Sequence, residues 1–404
     1  MKIVSQFHVN AEQPIKDLER HHYSFVRMIH PDVGEQIFAS EFDFIRWLER
    51  AESLVAMVGG PHVSVHQAEP NKRGGTKRSL TALGKKIYGL CRTYEPDVVK
   101  HYSNHRFSPP LALALKVVGG RAFELVSFKR LDGTLDLHDP EARRVLDEIA
   151  YDLRQTRGSA AYRSEVERYR RNQNKNLASC AAYLAAQFER RSVLLVTRID
   201  LYIRPAFRRW GYTLEADACY TRLLSELAEN RLIPGVMGYI AKREDGIDRG
   251  IHFHLLVVQD GHAHRDASNM ARVVGERWVE ICGTSVRAAA GDDGVESVEQ
   301  RGSYFNCYSR KDYYLFNGIG LVRPFDKNKL QGLRLAIEYF CKESYQLKPV
   351  LLFGEDDASA TVGRSGKGIR NLRRGVMPKG HSGRGAPRRV ALDDSFIKSI
   401  LLKQ

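Results

Sequence analysis

Two histidines separated by one apolar residue are the first pattern in this chain that could do chemistry. They are His252 and His254, inside the predicted strand 251–258. Because side chains alternate between the two faces of a strand, both imidazoles should project from one face. Glu244 lies eight residues before His252 across a turn-rich segment. A hairpin that pairs 244 with 252 would complete a three-ligand site on the exposed face of a sheet.

The donor set indicates which cation such a site would hold. Two imidazoles and a carboxylate with open coordination positions suit Mg²⁺ or Mn²⁺ at a phosphoryl-transfer centre. A polar patch without a metal is the alternative for two histidines on a strand. His262 and His264 form a rival pair, but glycine flanks them and no carboxylate stands at a similar spacing.

A tyrosine with a lysine three residues later is the second pattern. Tyr339 and Lys342 fall on a helix predicted over 327–346, off its apolar stripe. The stripe is formed by Leu330, Leu333, Ala336, Ile337, Phe340 and Cys341. Residues three apart are neighbours on a helix. Tyr339 is therefore either a surface tyrosine beside an incidental lysine or a nucleophile whose charge Lys342 and a metal balance. Tyr313, Tyr314 and Tyr345 are the alternative tyrosines.

The elements that must position these residues follow from the hydrophobic periodicity. Strands are predicted at 192–203, 235–244, 251–258, 303–308 and 318–322, and helices at 213–230, 267–282 and 327–346. The order strand, helix, strand, strand, helix, strand is that of the ferredoxin-like split unit. The predicted class is α+β, with an antiparallel sheet and helices on one of its faces.

The flanking regions differ in composition from this central part. Residues 1–190 are predicted to be a mostly helical accessory region, the site domain to span 191–350, and residues 351–404 to form a disordered basic tail. The charged segment 157–190 is either a solvated helix or part of a DNA path. No acidic residue occurs from Ala358 to Leu392, which favours contact with a phosphate backbone over a merely solubilising terminus. The tail residues predicted to contact DNA are Arg364, Lys367, Arg370, Arg373 and Arg374.

Composition narrows the class of partner. The 404 residues carry a formal net charge of +15, and 43% are hydrophobic. Such a surplus favours a nucleic-acid partner, although a basic but otherwise ordinary enzyme is the alternative. No run approaches the roughly 20 apolar residues of a membrane span, and no signal peptide is apparent, so a cytoplasmic protein is expected. The six cysteines are expected to be reduced thiols.

Together the motifs resemble a known family. The segments that carry the resemblance are Arg198-Ile-Asp200-Leu, Gly238-Tyr-Ile-Ala-Lys-Arg-Glu244, Gly250-Ile-His-Phe-His254-Leu-Leu, Tyr304-Phe-Asn306-Cys, Gly318-Ile-Gly320 and Tyr339-Phe-Cys-Lys342. Their order and spacing over residues 194–349 look like the inovirus gene 2 protein-like (YagK/YfjJ-like) family. That family is placed within the His-hydrophobic-His rolling-circle replication initiators.

The resemblance implies a role for each matching residue. Glu244, His252 and His254 match the metal ligands, Tyr339 the nucleophile and Lys342 its helper. Arg198 and Asp200 match a first motif with a structural or DNA-contacting role, and Lys242 is expected to contact DNA as well.

The implied activity is nicking of single-stranded DNA at a replication origin, leaving a 5′-phosphotyrosine. No GxxxxGK[ST] motif is present, so a host helicase would have to unwind the duplex. The alternatives are a relaxase or transposase of the same superfamily and a non-catalytic DNA-binding regulator.

Overall fold

The structure, a computed structural model, consists of two compact units. It describes residues 27–30, 34–37, 39–58, 64–71, 74–101, 105–246, 249–287, 296–314, 316–341, 348–349, 352–353, 360–361, 370–378 and 394–402. The helical unit comprises the described residues of 40–175 and 342–350. The sheet unit comprises those of 1–39, 176–341 and 351–404, so it begins earlier in the central part of the chain than the predicted boundary at residue 191.

The described elements are numbered here in chain order. The helices are α1 (Ala39–Met57), α2 (Ala82–Arg92), α3 (Pro96–His101), α4 (Pro109–Ser127), α5 (Pro140–Gly158), α6 (Ala160–Arg190), α7 (Leu214–Ala228), α8 (Ala267–Ile281), α9 (Lys327–Cys341) and α10 (Asp394–Leu402). Short 3-10 helices cover Pro205–Phe207, Trp210–Tyr212 and Cys307–Tyr313. The strands are β1 (Arg27–His30), β2 (Gly34–Ile37), β3 (His66–Pro70), β4 (Thr76–Leu80), β5 (His105–Arg106), β6 (Leu194–Ile203), β7 (Val236–Gly246), β8 (Gly250–Asp260), β9 (Gly283–Arg287), β10 (Glu296–Gln300), β11 (Gly302–Asn306), β12 (Gly320–Val322), β13 (Lys348–Pro349), β14 (Leu352–Phe353), β15 (Ala360–Thr361) and β16 (Leu372–Arg374).

The helical unit follows from local capping and amphipathic helices. Thr81 accepts a hydrogen bond from the backbone N–H of Gly84 and so caps α2. Asp139 caps α5 in the same way, and Pro140 occupies the first turn, where its missing N–H costs nothing. Leu146 and Ile149 of α5 are fully buried. The described residues of this unit are thus mainly helical, with the short strands β3 and β4 paired to each other.

A six-stranded antiparallel sheet forms the centre of the sheet unit. Its order is β11-β6-β8-β7-β16, and β12 also pairs with β6. The predicted succession is present as β6, α7, β7, β8, α8 and β11. A hairpin, β9 with β10, lies between α8 and β11 and was not predicted. The α+β class with an antiparallel sheet is confirmed.

Helices cover both faces of this sheet, so the prediction of helices on one face is wrong. One face packs Phe253 and Leu255 against Tyr220 of α7 and Trp278 of α8. The opposite face is also apolar along part of its length. It packs a second core that includes residues of α6, α9 and α10, namely Leu184, Phe188, Leu194, Val196, Ile240, Leu256, Val258, Leu333, Ile337 and Leu401. Leaving that second apolar surface in water would cost roughly 25 cal/mol per Å².

Two segments of the C-terminal region, for which a disordered tail was predicted, form regular elements. Strand β16 pairs with β7, with Arg373 opposite Ala241. Helix α10 buries Ile397 and Leu401 in the second core. Strand β16 contains one apolar residue beside two arginines, and α10 is a short helix that closely follows the basic stretch, so the basic composition hid both. None of the described helices has the length and apolar character needed to cross a bilayer.

Helix α10 provides a test of this packing. Leu401 is fully buried, whereas its neighbour Leu402 is 36% exposed. We expect Leu401→Ala to lower the free energy of unfolding by about 2–5 kcal/mol, because it leaves a cavity in the core. Leu402→Ala should change it by less than about 0.5 kcal/mol. Urea denaturation followed by circular dichroism measures both, and equal small effects would show that α10 does not belong to the core.

Candidate metal and nucleophile site

The register of three strands gathers the polar side chains of the site. On β8, His252 stands opposite Glu244 of β7, as predicted, and opposite Tyr202 of β6. Two residues further along, His254 stands opposite Lys242 and Asp200. Directly opposed residues in a sheet share one face, so all six side chains project together. Residues that alternate with them along the strands point to the other face. Phe253, between the two histidines, packs there in the core against α7 and α8.

The three predicted ligands converge on a small volume. Glu244 Oε2 lies 3.0 Å from His254 Nε2 and 3.5 Å from His252 Nε2. One ligand atom from each residue lies within 4.8 Å of the other two. Among the described residues, this is the one group of three or more His, Cys, Asp or Glu side chains with such a spacing. The arrangement can hold a metal ion.

Hydrogen bonds on the far side of each imidazole orient the ring nitrogens. His252 Nδ1 lies 2.9 Å from the carbonyl oxygen of Gly250, which can only accept, so Nδ1 must carry the proton. His254 Nδ1 lies 2.6 Å from Asp200 Oδ1. Both rings therefore direct Nε2 toward Glu244. The buried Nε2 of His252 has no hydrogen-bond partner among the described atoms. A lone pair held in this way suits a metal, and such carboxylate and carbonyl partners are usual for metal-binding histidines.

The buried charges of the site shift one another's pKa values. Burial raises the pKa of Asp200, but the charges of His254 and Arg198 outweigh it and lower that pKa to about 2. Burial likewise opposes the ionised form of Glu244, yet Lys242 and His254 hold its pKa well below the usual range. For His254 burial lowers the pKa, and the carboxylates of Asp200 and Glu244 more than reverse this, so that it is raised. Both carboxylates are thus ionised at neutral pH.

Tyr339 of α9 reaches the same cluster. Its hydroxyl donates to Glu244 Oε2 at 3.1 Å and lies 3.1 Å from His254 Nε2. The ring meets that of His254 edge-on, with centroids 5.2 Å apart. The hydroxyl faces this cluster as predicted, but it lies within hydrogen-bond distance of His254 and Glu244 instead of a phosphate's width away. Burial, followed by the charge of Glu244, raises the pKa of Tyr339 well above its ordinary value, so the phenol is neutral in this geometry.

The site is buried, which corrects the prediction of an exposed face. His252 is 1% exposed and His254 is not exposed at all. The reason is the second layer of helices, because α9 crosses this face of the sheet and places Phe340 beside Tyr339 and within 6.2 Å of His254 between ring centroids. Tyr339 is accordingly partly buried against the core and is not a surface side chain.

Three residues for which a DNA contact was expected, with a structural role as the alternative for Arg198 and Asp200, are buried in the site. Arg198 is 5% exposed, with Nε 3.7 Å from Asp200 Oδ1 and its guanidinium 5.3 Å from the ring centre of Tyr339. Asp200 has no exposed surface and holds His254. Lys242 is 3% exposed. Such side chains orient the site, and a strand of DNA at the surface would not reach them in this geometry.

The other predicted residues are dispersed. Arg373 donates to Thr221 Oγ1 at 3.0 Å and to Asp217 Oδ1 at 3.3 Å, and Arg374 donates to Ser179 Oγ at 2.9 Å. These arginines hold β16 in place. Arg370 is exposed. Lys342, Arg364 and Lys367 lie outside the described residues, and their roles stay predictions.

The rival histidine pair does not form a second centre. His262 Nε2 lies 3.1 Å from Ser192 Oγ, while His264 Nε2 lies 2.7 Å from the carbonyl oxygen of Pro234. The two rings thus have separate, exposed partners.

Two residues near the site were not predicted. Tyr202 stacks on His252 with ring centroids 5.8 Å apart. It could have been found, because it is two residues after Asp200 on the same strand face. Arg249 is 7% exposed, and its charge acts to lower the pKa of Tyr339. It stands in the turn-rich segment before Gly250, where no periodicity indicates the direction of a side chain.

Comparison with known proteins adds no relative: no family model, no curated protein and no solved structure matches this chain.

Metal binding is the first test of this site. We expect the protein to bind one Mn²⁺ per chain in isothermal titration calorimetry. His252→Ala and His254→Ala should each weaken the affinity at least tenfold, because each removes a ligand. His262→Ala is the matched control and should leave it unchanged. Equal affinity in all four proteins would place the ion elsewhere.

The pH dependence of Mn²⁺ binding tests the electrostatics. Because the pKa of His254 is raised, this residue keeps its second proton to a higher pH than an ordinary histidine, and a cation must displace that proton. Affinity should therefore rise as the pH increases up to the raised pKa, and calorimetry in two buffers of different ionisation enthalpy should show proton release. Asp200→Asn removes one cause of the shift and should move the midpoint to lower pH; an unchanged midpoint would contradict this assignment.

Proposed function

We propose that this protein nicks single-stranded DNA, with Tyr339 as the nucleophile and a divalent metal held by Glu244, His252 and His254. One observation carries the proposal: a tyrosine hydroxyl lies 3.1 Å from two side chains of a three-ligand cluster. Metal-assisted phosphoryl transfer to a protein nucleophile requires a set of metal ligands next to that nucleophile, here a tyrosine.

The topology supports the proposal. Taking β6, β7, β8 and β11 as the strands of the predicted split unit, their order in the sheet is fourth, first, third, second. This is the order of a ferredoxin-like sheet, and the histidines stand on its third strand. It agrees with the resemblance to the inovirus gene 2 protein-like family of rolling-circle initiators, whose motifs we matched residue by residue.

The identity of the substrate is inferred from charge and from that resemblance. A net charge of +15 favours a polyanion. The expected substrate is single-stranded DNA at a replication origin, opened by a separate helicase of the host, in the cytoplasm.

The proposed reaction exchanges one phosphodiester for another. The Tyr339 oxygen attacks the scissile phosphorus in line, a phosphorus–oxygen bond forms, and the bond to the 3′ oxygen breaks. The proton lost by the phenol is balanced by the proton gained by the leaving 3′-hydroxyl. The products are a 5′-phosphotyrosine on Tyr339 and a free 3′ end, and the stored ester allows rejoining.

The chain's own residues supply orientation and charge. A divalent metal, when bound, polarises the phosphate oxygens as a Lewis acid. Asp200 and the Gly250 carbonyl keep both imidazoles with Nε2 facing inward. The buried guanidinium of Arg198 lies 5.3 Å from the centre of the Tyr339 ring, and its positive charge acts to lower the pKa of the phenol. To admit a phosphate, the Tyr339 hydroxyl must leave its two hydrogen-bond partners.

Sequence spacing does not single out Tyr339. Tyr239, Tyr308 and Tyr345 also have a lysine three residues later, so the tyrosine–lysine pattern occurs four times. The difference lies in position: the hydroxyl of Tyr339 is in contact with the ligand cluster, and Tyr345 lies outside the described residues.

The decisive experiment looks for a covalent DNA–protein adduct. The protein is incubated with single-stranded oligonucleotides of randomised sequence and Mn²⁺, and DNA that stays attached after denaturation is sequenced. We expect Tyr339→Phe and His254→Ala to abolish the adduct while the affinity for single-stranded DNA changes less than twofold, because phosphate contacts elsewhere dominate binding.

Tyr345→Phe is the matched variant and should retain the adduct. An adduct that survives Tyr339→Phe but not Tyr345→Phe would show that Tyr345, and not Tyr339, is the nucleophile. Binding of DNA by the wild-type protein without any adduct in Mn²⁺ or Mg²⁺ would indicate a non-catalytic DNA-binding regulator.

A further inference from the structure

A buried lysine joins the metal cluster to the helix that carries the tyrosine. Lys242 is 3% exposed and stands on the same face of β7 as Glu244, opposite His254. Burying an ammonium group is unfavourable unless partners compensate for the lost water. The partners of Lys242 therefore indicate what the position is for.

The ammonium group contacts both sides of the site, through an ion pair with Glu244 and a hydrogen bond to Tyr339. Lys242 Nζ lies 3.1 Å from Glu244 Oε1 and donates at 3.2 Å to the backbone carbonyl oxygen of Tyr339. The two carboxylate oxygens of Glu244 are thus divided, with Oε1 toward the lysine and Oε2 toward the histidines and the tyrosine hydroxyl. The same ammonium lies 5.6 Å from the ring centre of Tyr339.

The carbonyl group that Lys242 engages belongs to the last turn of α9 as described, which ends at Cys341. Carbonyl groups in the last turn of a helix are often satisfied by a lysine, whose charge also suits the negative end of the helix dipole. Here the lysine comes from a sheet strand two residues from a metal ligand. Its bond consequently sets the distance between the backbone of Tyr339 and the carboxylate of Glu244.

We propose that Lys242 is a positioning residue that fixes the Tyr339 backbone and the Glu244 carboxylate relative to each other. The catalytic consequence rests on the proposed nickase function, whereas the structural tie does not. Lys242 is not a phosphate contact in this arrangement, because its ammonium group is enclosed. Misplacing a reacting group by about 1 Å can cost on the order of a hundredfold in rate, so a tie of this kind affects chemistry more than substrate binding.

The same helix offers a matched control. Lys329, in the first turn of α9, donates from Nζ to the carbonyl oxygen of Ile319 at 2.7 Å. Lys329→Met and Lys242→Met each introduce an apolar side chain of similar length and remove one hydrogen bond between a lysine and a backbone carbonyl. Each of these bonds connects α9 to a neighbouring segment. Only the second change touches the site.

The first measurement is hydrogen–deuterium exchange of the full chain, which does not depend on any activity. We expect Lys242→Met to speed exchange at least tenfold in peptides covering 335–341, and Lys329→Met to leave those peptides as in the wild type. Lys242→Arg, which keeps the charge and the donors, should restore much of the protection. Wild-type exchange over 335–341 in Lys242→Met would overturn the proposal, and Lys242→Gln repeats the test if the methionine variant unfolds.

The second measurement separates positioning from DNA contact. Under single-turnover conditions with an oligonucleotide that the wild type cleaves, Lys242→Met should form the adduct at least tenfold more slowly, with partial rescue by Lys242→Arg. Its affinity for the labelled oligonucleotide should stay within twofold. A loss of affinity with a shallower salt dependence would instead make Lys242 a phosphate contact and overturn the proposal. If the wild type forms no adduct, the nickase function fails while the exchange result still decides the tie.

Discussion

The antiparallel register of β6, β7 and β8 is the constraint on which the rest of the site depends. A shift of one residue between β7 and β8 would turn Glu244 and Lys242 to the opposite face, away from His252 and His254. The register is held by burial on both faces, because every β8 residue from Gly250 to Gln259 is buried. The hydrophobic effect therefore fixes the relative positions of the polar groups, and their mutual hydrogen bonds refine them.

Pairing of opposite charges offsets the free-energy cost of burying the charged groups of the site. Asp200 lies between Arg198 and His254, and Glu244 is next to Lys242. Each carboxylate thus has a cation beside it, and the pKa values of both are lowered in spite of burial. Buried ion pairs contribute little net stability, because desolvation offsets their attraction. Their use here is orientation: the pairs hold the Nε2 atoms and one Glu244 oxygen toward a common point.

The sequence was informative where a short period translates directly into geometry. Alternation along a strand sufficed to place His252 and His254 together, and the hairpin predicted Glu244 opposite His252. The sequence did not predict that the site is buried, because whether a second layer of helices covers a sheet depends on distant segments such as α6 and α10. The sequence also could not show that the side chains of Arg198 and Lys242 are buried, since a basic residue on a strand is equally compatible with a position at the surface that contacts DNA. The choice between Tyr339 and Tyr345 also depends on tertiary position alone.

One face of the sheet serves as a core at one end and as a polar site at the other, and α9 crosses both. Leu333 and Ile337 of this helix pack among Val196, Leu256 and their neighbours, while Tyr339, about half a turn further on, meets the ligands. Besides the bond from Lys242, the position of the hydroxyl therefore depends on close packing two residues away, where even one extra or missing methylene group is costly. The position of the hydroxyl is fixed more closely on a partly buried tyrosine of a well-packed helix than on an exposed tyrosine, which its place off the apolar stripe predicted. It also means that movement of Tyr339 toward a substrate has to come from its side chain or from the end of α9, because the middle of the helix is held by the core.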